Sequence, residues 1–305
     1  MIRVLKNADF SNCGLGSVPI PIPASDEADT VVSKFQNISP EKETKLRRFI
    51  DTLVHYGVYD KLLYLAIPEV ASSESEAIQN VLIDRDVTLL TSNVTLTPGK
   101  GIQIGNGTSM SYLSATDSYP VNGTGITNTD LVKNRVRGNF SFGVYIEYPE
   151  SNDYNASAIC ASRNVSGNIN FGAIGMLASN TPGLFARISD SNADRISYIQ
   201  GALDGNNNTA IQIVSELLTF DSTEATAKAV TAECIALSSE GVSVKETEDL
   251  NTRPSDLPAP RQLFGDLHTN IRFRGYFKVM FEGKFLNAQE VLVMRDAILN
   301  LCKTA

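Results

Sequence analysis

Between residues 40 and 56 the apolar positions Leu46, Phe49, Ile50, Leu53 and Val54 recur every three or four residues, which predicts an amphipathic helix. Ser39 stands where a side chain caps the first turn, Pro40 suits the first helical position, and Gly57 closes the end, so the helix is expected over Pro40 to Tyr56. The run "KLLYLAI" before Pro68 reads as a helical turn entering a buried strand. From about residue 70 the period drops to two: Phe140, Phe142, Val144 and Ile146 alternate with small or polar residues, and "PGKG", "DGNNN" and "SEG" supply turns between runs. Many short strands at such spacing predict a mainly-β sandwich or barrel. The chain closes with a strand, "FKVMFEGKF", and a helix. In that helix Asn287 and Glu290 have capping-box spacing, and Ala288, Val291, Leu292, Ile298, Leu299 and Cys302 mark an apolar face.

The first stretch follows neither period. Lys6, Asn7, Asp9, Ser11 and Asn12 break every apolar pair, which does not suit a secretion signal. Pro19, Pro21 and Pro23 then alternate ahead of the acidic "SDEAD", a composition expected to stay extended and bury little of itself. Residues 1–36 are therefore read as an arm, 37–69 as a helical collar segment and 70–305 as the β domain with its closing helix. On the arm, Phe10, Leu15, Val18, Ile20 and Ile22 offer apolar surface that only a partner would cover.

Charge and composition narrow the function classes. A net charge of −8 with no Lys/Arg-rich run argues against a nucleic-acid track, and no apolar run approaches the length of a membrane span. Cys13, Cys160, Cys234 and Cys302 lie far apart without metal-ligand spacing, so reduced thiols in a chain made in a host cytoplasm are expected. No cofactor is implied.

The candidate chemistry is sparse. Two histidines, His55 and His268, and no nucleophile-elbow sequence leave little for hydrolysis by a Ser/His/Asp arrangement. Glu147 and Glu150 are the nearest match to a glycosidase carboxylate pair and lack a third acid on the strand. Asp190, Asn192 and Asp194 alternate as oxygen ligands do in calcium loops, although the rest of such a loop is missing and a polar hairpin turn competes. The tyrosines Tyr145, Tyr148, Tyr154 and Tyr198, interleaved with Asn152, Asn155 and Asn170, suit sugar stacking and hydroxyl recognition, or equally a protein interface.

Two segments carry a resemblance. "SPEKETKLRRFIDTLVHYGVYDKLLYLAI" followed by "NVTLTPGKGIQIGNGTSMSYLSAT" resembles a module of tailed-phage tail and fibre proteins that opens a concanavalin A-like jelly roll. "FLNAQEVLVMRDAI" is similar to the ending of laminin-G-like and related lectin-like domains, and "VLKNADFS" with "GLGSV" resembles the start of virion proteins from phages of gut bacteria. Trp is absent, and Tyr59 stands where the family usually has an indole. The acid-x-acid-x-x-acid strand of glucanases sharing this fold has no counterpart. The resemblance implies a concanavalin A-like jelly roll with an N-terminal arm and flanking helices. It also implies a non-enzymatic structural protein of a virion (fibre, tail or head decoration), partnered by other virion proteins and by copies of itself, with a cell-surface glycan as ligand. A tail polysaccharide depolymerase and a cellular glycan-binding module are the rival readings.

Overall fold

In a computed structural model, residues 2–5, 21–82, 89–90, 94–104, 112–115, 139–147, 158–163, 169–176, 184–187, 199–201, 209–220, 229–238, 241–248, 261–265 and 275–302 are described. The strands are β1 (Ile2–Leu5), β2 (Leu62–Ala66), β3 (Leu89–Leu90), β4 (Val94–Thr97), β5 (Gly101–Ile104), β6 (Tyr112–Ala115), β7 (Asn139–Glu147) and β8 (Ala158–Arg163). They continue with β9 (Ile169–Met176), β10 (Leu184–Arg187), β11 (Ile199–Gly201), β12 (Thr209–Phe220), β13 (Ala229–Ser238), β14 (Gly241–Glu248), β15 (Arg261–Gly265) and β16 (Tyr276–Gly283). The helices are α1 (Asp26–Ser33), α2 (Pro40–His55), α3 (Glu74–Ile78) and α4 (Ala288–Cys302), with a 3-10 turn at Tyr59–Lys61.

Among the described residues the strands form two antiparallel sheets. Nine strands make the first, ordered β1-β14-β13-β12-β7-β16-β5-β4, with β2 also pairing β16; seven make the second, ordered β11-β10-β9-β8-β15-β6-β3. The chain crosses repeatedly between them, and β9, β10 and β11 lie over β12 and β13. The protein is thus the mainly-β sandwich that the alternating strands predict, of the jelly-roll type that the resemblance implies.

The helices form a third layer. Residues 141–146 of β7 are all buried, odd and even alike, because the sheet is covered on both faces. Ser141 Oγ donates to Lys284 O at 2.7 Å, and Leu286 N donates to Ser215 Oγ at 2.8 Å, which pins the connection into α4 onto one face. Ser141, Gly143, Tyr145 and Glu147 share that face; Phe142, Val144 and Ile146 point into the sandwich. Gly143 sits directly opposite Phe281, and a Cβ there would come within 2.5 Å of the Phe281 ring, so only glycine admits the ring flat on the sheet.

The local signals act as expected at both long helices. Ser39 accepts from Lys42 N at 3.3 Å and Gly57 ends α2 at φ 69°. Asn287 Oδ1 accepts from Glu290 N at 3.0 Å, while Glu290 Oε2 accepts from Asn287 N at 2.9 Å, closing the capping box.

The expected extended stretch through residue 36 needs correction. Residues 26–33 form α1, capped by Ser25, whose hydroxyl accepts from Ala28 N. Ala28, Val31, Val32 and Phe35 are spaced for one helical face and buried in the core. The acidic "SDEAD" lies in a first turn, where Asp26, Glu27 and Asp29 complement the helix dipole. Packing also runs on without a gap at residues 36 and 69: one core joins Ala28 and Phe35 to Leu46, Phe49, Leu65, Ile67, Val70 and Leu301. α3 was not foreseen, being only five residues long. It is held by Glu76, whose carboxylate accepts from Gln36 N at 2.8 Å and Ser72 N at 2.7 Å.

Candidate functional site

Three neighbouring strands end together beside the helical layer. The register pairs Thr209 of β12 with Glu147 of β7, and Glu147 with Tyr276 of β16, so a hydroxyl, a carboxylate and a phenol ring stand in one row on the same face. All three are partly exposed. The exposed Lys100, from the turn between β4 and β5, places its Nζ 5.6 Å from the centre of the Tyr276 ring.

Beneath the row lies an ion cluster created by a bulge. The β7 register slips between Phe277 and Val279, and Lys278 is the extra residue. Its Nζ donates to Glu69 Oε2 at 2.9 Å and to Gly99 O at 3.4 Å and lies 3.4 Å from Glu147 Oε2. Only 7% of Lys278 is exposed. Burial works to lower its pKa, but the hydrogen bond and charge of Glu69, with the charge of Glu147, outweigh burial and hold it above the ordinary lysine value. Lys278 is therefore a fixed cation and not a nucleophile. It ties the segment after β2 to β7, β16 and the β4–β5 turn, and Lys42 Nζ adds a bond to Glu69 O at 2.6 Å.

Tyr145 and Cys302 close the floor. Burial is the main cause that raises the Tyr145 phenol, against a hydrogen bond to Thr209, and burial likewise pushes the Cys302 thiol well up. Both stay neutral at physiological pH, and Cys302 is not an activated thiol. What the arrangement presents to solvent is part of the Tyr276 ring, with the Lys100 ammonium over it and the Glu147 carboxylate and the Thr209 hydroxyl in line beside it. Such a row suits stacking and hydrogen bonding to a polyhydroxylated ligand.

A second polar group faces the sandwich interior. Gln212, Glu216 and Glu282 are each at most 1% exposed. Burial raises the Glu282 carboxyl well above its ordinary value, and Glu282 in turn adds to the effect of burial on the Tyr64 phenol, whose hydroxyl donates to Ile78 O at 3.1 Å. Elsewhere, a groove of about 220 Å³ between α2 and α4 has Phe49 and Ala297 among its lining residues, with Lys45 and Arg48 beside them.

The sequence-derived candidates divide sharply. Tyr145 was expected as an exposed stacking surface; it is 8% exposed, because odd positions of β7 face the helices. Glu147 is in the row, with its charge taken up by Lys278. Tyr148, Glu150, Asn152, Tyr154, Asn155 and Tyr198, the calcium candidates Asp190, Asn192 and Asp194, and the arm residues Phe10, Leu15, Val18 and Ile20 lie outside the described residues, while Asn170 falls in β9, away from the row. Ile22 is half-buried in an irregular stretch before α1. Tyr276, Lys100, Lys278 and Thr209 were missed: each is ordinary in its own stretch, and only strand register assembles them.

No family model and no curated protein matches the chain. Among solved structures, a Trypanosoma rangeli sialidase in complex with 2,3-difluoro-KDN aligns at 14% identity and a TM-score of 0.45, covering 79% of this chain and 32% of that one. A botulinum neurotoxin type C structure, described with two ganglioside molecules, aligns at 12% identity and 0.47, covering 79% of this chain and 52% of that one. The botulinum neurotoxin serotype C1 binding domain aligns at 11% identity and 0.46, covering 78% and 52%. The chain spans about a third to a half of the length of these structures. It is the strand pairing itself that makes the protein a mainly-β sandwich.

Proposed function

We propose that the protein is a non-enzymatic assembly and adhesion component of a phage particle, displaying its sandwich outward and meeting a surface glycan at the Thr209, Glu147 and Tyr276 row. The observation that carries this reading is convergence. The separate stretches that resemble phage tail and lectin-like modules supply α2 and β2, the β4–β5 hairpin, and α4, and both β2 and β5 pair with β16, which leads directly into α4. The segments that resemble one module in sequence thus meet in space around one strand, and the row opens at the end of that strand.

Glu147 serves here as a recognition group. Its Oε2 lies 3.4 Å from Lys278 Nζ, which orients the carboxylate within the row. The test is binding of the purified protein to host-envelope polysaccharides on a glycan array. Tyr276→Ala is expected to lower apparent affinity by about tenfold or more, as loss of an aromatic stacking surface worth ~1.5 kcal/mol would, with no release of reducing ends from any glycan. Undiminished binding by Tyr276→Ala would remove the row from the account, and glycan cleavage abolished by Glu147→Gln would replace adhesion with depolymerisation.

A further inference from the structure

The N-terminal strand stands at the edge of the nine-strand sheet. β1 pairs antiparallel with β14, matching Ile2, Arg3, Val4 and Leu5 with Lys245, Val244, Ser243 and Val242, and among the described residues no other strand lies on that edge. Without β1, the stretch Val242 to Lys245 would be a bare edge of high strand propensity, the kind that recruits another chain; the remaining outer positions, Glu246, Thr247 and Glu248, carry two negative charges that discourage pairing. The edge is thus built to take a strand of about four residues and little more.

The tether behind β1 is long for so short a strand. Residues 6–20 separate Leu5 from the described stretch before α1, where Ser25 N and Oγ donate to Asp51 Oδ1 and fix the far end of the tether. Fifteen residues can span at most about 50 Å, at ~3.3 Å per residue for a fully extended chain. A folded body of this size has a radius of gyration of ~19 Å, hence a diameter of roughly 50 Å. The β14 edge of a copy packed alongside is therefore within reach of β1, as is the edge of its own chain.

We propose that β1 is exchanged between neighbouring copies of this protein, each copy's Ile2–Leu5 completing the sheet of the next at β14. The exchanged pairing makes the same four-residue register as the internal one, so the balance turns on local concentration. A long tether weakens the internal arrangement by diluting β1 around its own edge, and copies held side by side raise the competing concentration. The inference deepens the assembly part of the proposed function and rests on that reading only for the crowding of copies.

The experiment uses full-length protein carrying Val4→Cys and Ser243→Cys, prepared in unlabelled and nitrogen-15 forms. The two are mixed in denaturant, refolded together under reducing conditions, brought to millimolar concentration and oxidised, and the disulfide-linked peptides spanning positions 4 and 243 are weighed. A second pair, Arg3→Cys with Val244→Cys, covers the adjacent register position, since paired residues in an antiparallel ladder alternate between hydrogen-bonded and non-hydrogen-bonded sites with different cross-strand spacing. Exchange predicts that about half of the linked peptides carry mixed label, as random pairing of two equal pools requires. Linked peptides of uniform label only would show that β1 stays on its own sheet, and absence of any linked peptide in both pairs would show that β1 is not seated on β14; either result overturns the proposal. Neither result bears on whether the protein resides in particles, which is read separately from purified virions.

Discussion

The two faces of the nine-strand sheet handle buried polarity in opposite ways. On the helix face Lys278, Ser141 and Ser215 have partners from outside the sheet: Lys278 pairs with Glu69, Ser141 donates to Lys284 O, and Ser215 accepts from Leu286 N. On the sandwich face, burial dominates at Glu282, and its carboxyl binds its proton more tightly than in water. The helix face is a joint in which charge fixes one element against another, while the sandwich face is a core in which ionisation is suppressed. The joint reaches solvent at Thr209, Glu147 and Tyr276, the row proposed to meet a ligand.

The largest effect should come from the ring that spans the joint. Phe281→Ala empties the space above Gly143 and should cost about 3–5 kcal/mol in urea unfolding, as deletion of a buried aromatic does. A cost below ~1 kcal/mol would mean that the helical layer is not seated on the sheet.

Removing the cation of the joint should cost nearly as much. Lys278→Ala leaves the partly buried Glu69 without its partner and is expected to lose about 3 kcal/mol. Lys278→Arg should recover part of that loss. Equal stability of all three proteins would contradict the reading of the cluster as a joint.

The sandwich face is sharpened by pH. Because the folded-state pKa of Glu282 lies above the ordinary value of 4.5, its contribution is full below 4.5 and is lost as pH rises through the folded value. The Tm is expected to fall as pH rises across that range, and Glu282→Gln should flatten the fall. Glu76 acts with the opposite sign. Burial works to raise its pKa, but hydrogen bonds from Ser72 and Gln36 prevail and hold it below 4.5, so its contribution is present above 4.5 and is lost as pH falls through its folded value. Glu76→Gln should therefore weaken the protein at neutral pH and change little in acid. The smallest effect is at the cap: Asn287→Ala should cost ~1 kcal/mol.

Much of this joint was legible in the sequence and its recognition row was not. Ser39, Pro40, Gly57, Asn287 and Glu290 act within a few residues of themselves, so their spacing alone sets the ends of α2 and the start of α4. The alternation from Phe140 to Ile146 correctly marks a strand. It does not reveal that the intervening Ser141, Gly143 and Tyr145 are buried too, because the helical layer comes from the two ends of the chain. α1 carried a readable signal in Ser25 and in the spacing of Ala28, Val31, Val32 and Phe35; the acidic cluster and prolines before it pulled the reading toward an arm. Thr209, Glu147 and Tyr276 are brought together by register across three strands, which no local pattern encodes.

If the apolar arm residues Phe10, Leu15, Val18 and Ile20 attach the chain to a particle, as we propose, the helical identity of residues 26–33 sets where that segment ends. A deletion through residue 36 would remove Ala28, Val31, Val32 and Phe35 from the core and test folding instead of attachment. The direct test of particle residence is therefore a chain lacking residues 2–20, expressed during infection and quantified by mass spectrometry in purified particles beside the full-length chain. The account predicts that the truncated protein folds, with a cooperative melt close to that of the full chain, and is absent from particles that contain the full-length chain. Incorporation of the truncated chain at full copy number would contradict it and move attachment to the helical layer or to the sandwich.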